Sequence, residues 1–246
     1  MSEKKDNSQK RVAILQSSYI PWKGYFDLIS SVDEFVLFDD VQYTRRDWRN
    51  RNRLKTRNGL IWLTIPVQVK GKFTQLVSET VVSEHSWARD HLNSITHHLA
   101  KARHYAVFKD KIAELYESAE KLDRLSDINH LFISNICELL KIETKLRWSS
   151  EFQLESEKSQ RLLSICKQLG ATTYVSGPAA QCYLDCQLFQ SQGVSVEWFS
   201  YENYPEYEQL YPPFDHSVSI IDLLCNTGKE SRAFIDRGNT IVLSRA

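Results

Sequence analysis

Short apolar runs alternate with amphipathic stretches from residue 11 onward, and this pattern predicts an α/β fold. Residues 11–16 and 34–38 are strand-like segments, each centred on a continuous apolar run. Residues 23–32, between them, carry apolar side chains at helical spacing. A helix that joins two short strands is typical of a parallel crossover. The start of the chain is therefore predicted to be a strand–helix–strand unit.

The rest of the chain repeats this alternation around a long helical region. The pattern predicts a strand at 60–69, helices across about 84–148, a helix at 156–169, a strand at 172–176, a helix at 179–192, a strand at 194–201 and a short helix at 219–225. We therefore expect an α/β fold with a parallel-sheet core and a largely helical insertion. No linker divides residues 11–246, which are predicted to form a single domain. The polar and charged residues 1–10 are predicted to be a disordered lead-in.

Composition and charge narrow the classes of protein that fit. Lys+Arg and Asp+Glu both number 31 in the 246 residues, so the formal charge is zero, which weighs against a general polyanion-binding protein. No apolar run reaches the roughly 20 residues of a membrane helix, and the N-terminus does not resemble a secretory signal. The five cysteines include no CxxC pair and are predicted to be reduced thiols. We expect a cytoplasmic protein, and we find no metal-binding, P-loop, GxGxxG or GxSxG motif.

The first candidate site follows the first strand, in the string QSSYIPWKGY. Ligands of open α/β sheets bind beyond the carboxyl ends of the strands, often at a helix N-terminus. Gln16, Tyr19, Trp22 and Lys23 occupy that place, and Gly24 would let a ligand approach the backbone. The alternative is a tightly packed loop in which the aromatic residues fill the core.

The second candidate site follows the second strand, in the string FDDVQYTRRDWRNRNRLK. If residues 49–55 are extended, Arg49, Arg51, Arg53 and Lys55 face one side and the two asparagines face the other. Clustered arginines suit phosphate or carboxylate ligands. The candidate ligand-binding residues here are Gln42, Tyr43, Arg45, Trp48, Asn50, Arg51, Asn52, Arg53 and Lys55. A solvated basic loop and a nucleic-acid surface are the alternatives.

A third, weaker candidate lies at the turn after the predicted strand 172–176. Ser176 and Gly177 precede a helix, whose N-terminal N–H groups attract anions. The alternative is an ordinary turn between a strand and a helix, which has the same sequence pattern. Asp185, further along, fits a surface position as well as a ligand-binding one.

Five strings, taken in order, give the chain a family resemblance. They are QSSYIPWKGYFDLI, FDDVQYTRRDWRNRNRLK, WLTIPV, YVSGP with YLD, and SIIDLLCNTG, and together they resemble the WbqC-like family across nearly the whole chain after the first ten residues. The chain departs from the family pattern at Ser17, where a proline is common, and at 179–182, where a more polar segment is usual. The resemblance implies a role in the biosynthesis of O-antigen, lipopolysaccharide or another surface polysaccharide.

The order of elements is also similar to that of nucleotidyltransferase-like (Rossmann-like) enzymes such as pantothenate synthetase, which joins a carboxylate to an amine through an acyl-adenylate. Those enzymes carry HxGH at the helix start, where this chain has Trp22-Lys23-Gly24-Tyr25. Both histidines are missing. This similarity concerns layout and does not establish function.

These observations lead to one functional hypothesis and two alternatives. The chain is predicted to be a transferase or ligase that forms an amide by moving an acyl or aminoacyl group onto a nucleotide-linked amino sugar, with ATP or an activated acyl donor as the candidate cofactor. Asp40 is the predicted general base and Lys23 the predicted second catalytic residue, while the basic run holds phosphate. The alternatives are a non-catalytic module that binds a sugar nucleotide or acyl carrier, and a transferase that uses aminoacyl-tRNA.

Overall fold

A sheet of six strands forms the centre of the protein, in a computed structural model that describes residues 9–235 and 241–243. The strand order is β5-β2-β1-β6-β7-β8. The first five of these are parallel, and β8 runs antiparallel to β7. The strands are β1 Arg11–Leu15, β2 Glu34–Leu37, β5 Lys145–Trp148, β6 Thr173–Ser176, β7 Ser195–Phe199 and β8 Ile241–Leu243. The predicted α/β fold with a parallel core is confirmed. The predicted lead-in, residues 1–10, lies outside the described residues except for its last two.

The sheet has a topological switch point between β1 and β6. From β1 the chain passes through α1 (Lys23–Ser30) to β2 on one side, and from β6 it passes through α6 (Cys186–Ser191) to β7 on the other. Alternate residues of β1 face opposite ways. Ala13 packs into the cluster that contains α1, whereas Val12 packs with α6 and with α5 (Lys158–Gln168). Helices therefore cover both faces, and the two crossovers diverge at β1 and β6.

The helical insertion predicted across about 84–148 ends before β5, whose residues 145–148 belong to the main sheet, and is present as three helices, α2 Trp87–Leu99, α3 Tyr105–Ala119 and α4 Leu125–Leu139. Their buried residues, such as Ile95, Phe108 and Phe132, belong to the same core cluster as α1. Helix α7, Ile220–Thr227, also packs there and begins at Ser219, whose hydroxyl accepts the amide of Ile221. Among the described residues, no helix is long and apolar enough to span a bilayer.

The basic run after β2 enters a two-stranded antiparallel hairpin outside the main sheet. Its strands are β3 Arg51–Thr56 and β4 Gly59–Thr64, and Gly59 adopts a φ of +103° in the turn. The strand predicted at 60–69 therefore ends before Pro66, which cannot donate a ladder hydrogen bond. The hairpin lies against the loop that leaves β1, because the side-chain amide of Asn52 in β3 donates to the carbonyl of Ile20 at 2.9 Å.

The helix predicted at 179–192 is two separate elements. A 3₁₀ helix spans Pro178–Cys182, and α6 begins only after Asp185. The Asp185 carboxylate accepts the amide of Leu188 at 3.0 Å, which is the hydrogen bond of a helix N-cap. This local cap explains why one apolar pattern gives two helical pieces.

Candidate functional site

Two cavities open at the carboxyl ends of β1 and β6, at the switch point of the sheet. One, the arginine cavity, has a volume of about 490 Å³ and is lined by Trp22, Trp48, Arg49, Asn52 and Arg53 among others. The second, the aspartate cavity, has a volume of about 550 Å³ and is lined by Gln16, Asp40, Gln42, Lys158, Arg161 and Ser176 among others. Leu15, Gly177 and Ala179 line both cavities. Switch points are where α/β sheets bind their ligands.

Buried hydrogen bonds join the loops that follow β1 and β2. The amide and hydroxyl of Ser17 donate to the two carboxylate oxygens of Asp39 at 2.8 and 2.7 Å. The hydroxyl of Ser126, on α4, donates to the same carboxylate at 2.6 Å. Asp39 is 1% exposed. The two strand exits are therefore fixed against each other and against the helical insertion.

Side chains of the basic run hold the β1 exit loop through its backbone. Arg49 donates from Nη1 to the carbonyls of Gln16 and Ser17, both at 3.0 Å. Asn52 donates to the carbonyls of Tyr19 and Ile20 at 3.1 and 2.9 Å. Because these groups already bind the backbone, they shape the arginine cavity as part of its scaffold. Asn50 has a similar role, since its amide donates to the carbonyl of Ile65 at 2.8 Å.

The outer face of the hairpin combines arginines with tryptophans. Arg53 pairs directly with Trp62 across the two strands. The guanidinium carbon of Arg51 lies 4.0 Å from the centroid of the Trp62 ring, and Trp48 lies 5.4 Å from Trp62, centroid to centroid. The sequence predicted Trp48, Arg51 and Arg53 as ligand residues but missed Trp62. Trp62 had no local signal, because it lies within the four consecutive apolar residues 60–63 of β4, where no alternation distinguishes an exposed side chain from a buried one.

Asp40 lies in the aspartate cavity and is half-buried. Its carboxylate accepts the hydroxyl of Ser149 at 2.6 Å and that of Ser78 at 3.4 Å. The side-chain amide of Gln42 donates from Nε2 to the carbonyl of Phe73 at 2.8 Å. This loop is therefore held from both sides, with the carboxylate of Asp40 at the cavity wall.

Two cations of α5 complete the aspartate cavity, and the sequence did not predict them. Lys158 is exposed at the helix start, and Arg161 donates from Nε to the carbonyl of Glu155 at 2.8 Å. On the sheet side, Ser176 is buried and Gly177 reaches both cavities. The cavity thus carries a carboxylate on one wall and cations on another.

Several predicted site residues lie in the protein core. Tyr19 is fully buried, where its hydroxyl hydrogen bonds Nδ1 of His91 at 2.9 Å and the hydroxyl of Tyr116 at 2.6 Å. Burial raises the pKa of Tyr19 well above its usual value. Gly24 is enclosed by the Trp22 ring, and Tyr43 is buried with its amide bonded to the carbonyl of Gln75.

The predicted catalytic Lys23 also lies away from both cavities. Its ammonium group donates to the carbonyl of Pro205 at 2.8 Å and lies 5.2 to 5.6 Å from the ring centroids of Tyr204, Tyr207 and Phe214. The side chain is 3% exposed. This cationic group therefore packs against the segment 201–218, and Lys23 is not among the residues that line either cavity.

Three further predicted residues make hydrogen bonds to the backbone of the protein itself. Lys55 is buried and donates to the carbonyl of Pro213. Arg45 is exposed and donates to the carbonyl of Val69 at 2.8 Å. Asp185 caps α6. Among the described residues, no group of three His, Cys, Asp or Glu side chains is arranged to hold a metal ion.

Comparison with known proteins gives a family and one curated relative. A model of the WbqC-like protein family matches residues 16–234. A protein of Mycobacterium tuberculosis (strain ATCC 25618 / H37Rv), named "Uncharacterized protein Rv1507c", is 46% identical over 226 residues, which cover 92% of this chain and 97% of the relative. No solved structure matches the chain.

Proposed function

The chain belongs to the WbqC-like protein family, and we propose that it transfers an acyl or aminoacyl group onto the amine of a nucleotide-linked amino sugar used in surface-polysaccharide synthesis. The arginine cavity takes the nucleotide end of the acceptor. The aspartate cavity takes the activated acyl donor. The amine and the acyl carbon meet where the two cavities adjoin, beside Leu15 and Gly177.

The shared boundary of the two cavities is the observation that carries this proposal. Group transfer requires two substrates to be held in one orientation, and good positioning supplies a large part of the rate enhancement. Each cavity has the volume of a typical small-molecule site. Cations line both cavities, and the Asp40 carboxylate lines the aspartate cavity, which suits a phosphate-bearing acceptor in one cavity and a phosphate-bearing donor with a base in the other.

The chemical step is the formation of an amide. The amine nitrogen attacks the acyl carbon, and the bond from that carbon to the oxygen of a phosphate or ester breaks. The oxygen leaves with the electron pair, and the proton of the amine passes to the Asp40 carboxylate. The arginine side chains offset charge on the phosphate groups, and loss of such a contact costs about 3 kcal/mol of transition-state stabilisation.

Mass spectrometry tests the proposal directly. Nucleotide-linked amino sugars are incubated with the protein, amino acids and ATP, and in parallel with aminoacyl-tRNA. We expect the mass of one acylated sugar to rise by that of the transferred group. Sensitivity to ribonuclease identifies tRNA as the donor, whereas dependence on ATP identifies ligation. An absence of any mass gain under all conditions would contradict a transferase.

The Asp40→Asn variant tests the base, and Asp110→Asn is its matched control, because Asp110 is exposed on α3 far along the helical insertion. We expect Asp40→Asn to lower kcat at least 100-fold while it retains substrate affinity. Turnover within a few-fold of the parent would remove Asp40 from this role.

One observation favours a non-catalytic binding module as the second candidate. Ser149 and Ser78 donate to separate oxygens of the Asp40 carboxylate, an arrangement that also suits a purely structural carboxylate. The module would bind a sugar nucleotide and deliver it to a partner enzyme. Tight binding without turnover, unaffected by Asp40→Asn, is the result that this alternative predicts.

A further inference from the structure

Two neighbouring tryptophan side chains are exposed on the hairpin side of the arginine cavity, and Trp48 is one of the residues that line it. Trp48 is 40% exposed and Trp62 is 45% exposed. Their ring centroids are 5.4 Å apart, and their planes are inclined by 43°. Removal of a large aromatic side chain from water is favourable, so two neighbouring exposed tryptophans beside a cavity indicate a binding surface. We call Trp48, Trp62 and the intervening Arg53 the aromatic wall.

Arg53 is the cationic member of the wall and lines the arginine cavity. Its guanidinium carbon lies 5.4 Å from the Trp48 ring centroid and 5.6 Å from that of Trp62. Its Nε is shielded from solvent and has no hydrogen-bond partner within the described part of the chain. Arg53 forms no ion pair among those residues, whereas Arg49 pairs with Asp47 at 3.5 Å. Arg53 is thus a cation of the cavity lining whose guanidinium group is held beside two aromatic rings.

The backbone fixes the wall before any ligand binds. The carbonyl of Trp48 accepts the amide of the buried Tyr19 at 3.1 Å, and the carbonyl of Arg53 accepts the amide of Ser219 at 2.9 Å. Arg53 and Trp62 are directly opposed in the hairpin register. Because little conformational entropy is lost on binding to a preformed surface, the wall is suited to stacking a flat ring.

We propose that the aromatic wall binds the base of a nucleoside diphosphate, with the base stacked on Trp48, the ring of Trp62 beside it and the diphosphate at Arg53. This inference rests on the proposed function, since it gives the nucleotide end of the acceptor its place. It adds the recognition of the base, a contact that no phosphate clamp supplies. The diphosphate then points into the cavity toward Gly177, where the sugar amine is needed.

Calorimetric titration tests the wall with UDP, dTDP, GDP and ADP, and with inorganic diphosphate as the probe that lacks a base. Trp48→Ala is expected to weaken binding of the preferred nucleoside diphosphate about 5- to 100-fold, the usual effect of one lost stacking contact. Trp62→Ala removes the ring beside the base and is expected to weaken binding less. Neither variant should change the affinity for inorganic diphosphate. Arg53→Gln should weaken binding of both ligands about 10-fold or more.

Two exposed residues that do not line the arginine cavity supply matched controls. Arg57→Gln removes a cation at the hairpin turn, and Phe73→Ala removes a side chain that is 76% exposed outside the arginine cavity. Both should leave the Kd unchanged. Circular dichroism of each variant confirms that the fold is intact.

The outcomes separate this inference from the proposed function. Unchanged nucleotide affinity in both tryptophan variants, or equal affinity for inorganic diphosphate and nucleoside diphosphates, would overturn the stacking role while leaving acyl transfer intact. Binding of single-stranded RNA in place of nucleoside diphosphates, lost in Trp48→Ala, would assign the wall to a macromolecule and also overturn it. If nucleoside diphosphates bind to the aromatic wall but no acyl transfer is detected, the proposed reaction is refuted and the stacking role stands.

Discussion

Asp39 and Asp40 are adjacent in the chain, but their surroundings suit Asp39 to a structural role and Asp40 to contact with a ligand. Asp39 is buried and accepts three hydrogen bonds from Ser17 and Ser126. Asp40 is half-buried at a cavity wall. A buried carboxylate is stable only when it is paired or hydrogen-bonded, so Asp39 is suited to joining loops. Asp40 has the access that a ligand requires.

We predict that Asp39→Asn lowers the free energy of unfolding by about 2–3 kcal/mol, because hydrogen bonds to a charged acceptor contribute more than neutral ones. Urea denaturation measures this change, with Asp110→Asn as the exposed control. Asp40→Asn should shift stability less than Asp39→Asn while it affects turnover more. An Asp39 variant as stable as the parent would contradict the anchoring role.

At the scale of residues, the sequence predicted which segments form the site better than which side chains face it. The strings after β1 and β2 contribute Gln16, Trp22, Asp40 and Arg53 to the cavities. Lys158 was not predicted, because α5 is far in the sequence from the strings that follow β1 and β2. Only the order of strands in the sheet, a nonlocal property, brings α5 beside them.

At the scale of elements, the start of α1 depends on the close packing of Trp22 against Gly24. A methyl group at position 24 would lie 2.7 Å from Cε2 of the Trp22 ring. That ring lines the arginine cavity and packs against Tyr201 and Tyr204, with centroids 5.6 and 5.5 Å away. The glycine therefore permits the ring to form one wall of the cavity, which differs from the ligand contact that the sequence suggested.

We predict that Gly24→Ala costs about 1–3 kcal/mol of stability through overpacking and also weakens ligand binding, because the Trp22 ring is displaced. The double variant Gly24→Ala with Trp22→Leu relieves the clash. Its cost should be less than the sum of the two single changes in a double-mutant cycle measured by urea denaturation. Strict additivity would show that Gly24 acts independently of Trp22.

The hairpin shows how far local patterns predict an element. Its extended conformation and the opposite orientation of Arg53 and Asn52 follow from alternation in the basic run. Lys55 departs from this pattern, since it is buried beneath the segment 201–218 and bonded to the carbonyl of Pro213. That segment lies far away in the sequence, so no local signal indicated the burial of Lys55.

At the scale of the whole molecule, His91 connects the helical insertion to the loop that leaves β1. It lies on α2, and its Nδ1 hydrogen bonds the hydroxyl of Tyr19. Its ring also packs against Trp87, with centroids 5.2 Å apart. Burial lowers the pKa of His91 to about 4, and a hydrogen bond to the backbone of Thr64 offsets part of that effect. Protonation of this one side chain therefore opposes the association of two large parts of the fold.

The resulting pH dependence has a definite sign. Between pH 6.5, the usual pKa of an unfolded histidine, and pH 4, the unfolded chain binds the proton and the folded chain does not, so stability falls as the pH falls through this window. The full loss is about 3 kcal/mol. Asp222 acts in the opposite direction, because burial raises the pKa of its carboxyl to about 6. The free-energy cost of burying the charged carboxylate of Asp222 is therefore removed as the pH falls from about 6 toward 3.8, so this group raises stability over that range.

A comparison of variants isolates the contribution of His91 from that of Asp222. His91→Gln keeps a polar side chain that does not titrate. The difference in free energy of unfolding, parent minus variant, should therefore fall by about 3 kcal/mol between pH 7 and pH 4. Urea denaturation across this range measures it. His97→Gln, on an exposed face of the same helix, makes the same substitution without touching the buried cluster. A parent and a His91→Gln variant that lose stability in parallel would show that acid acts on the fold elsewhere.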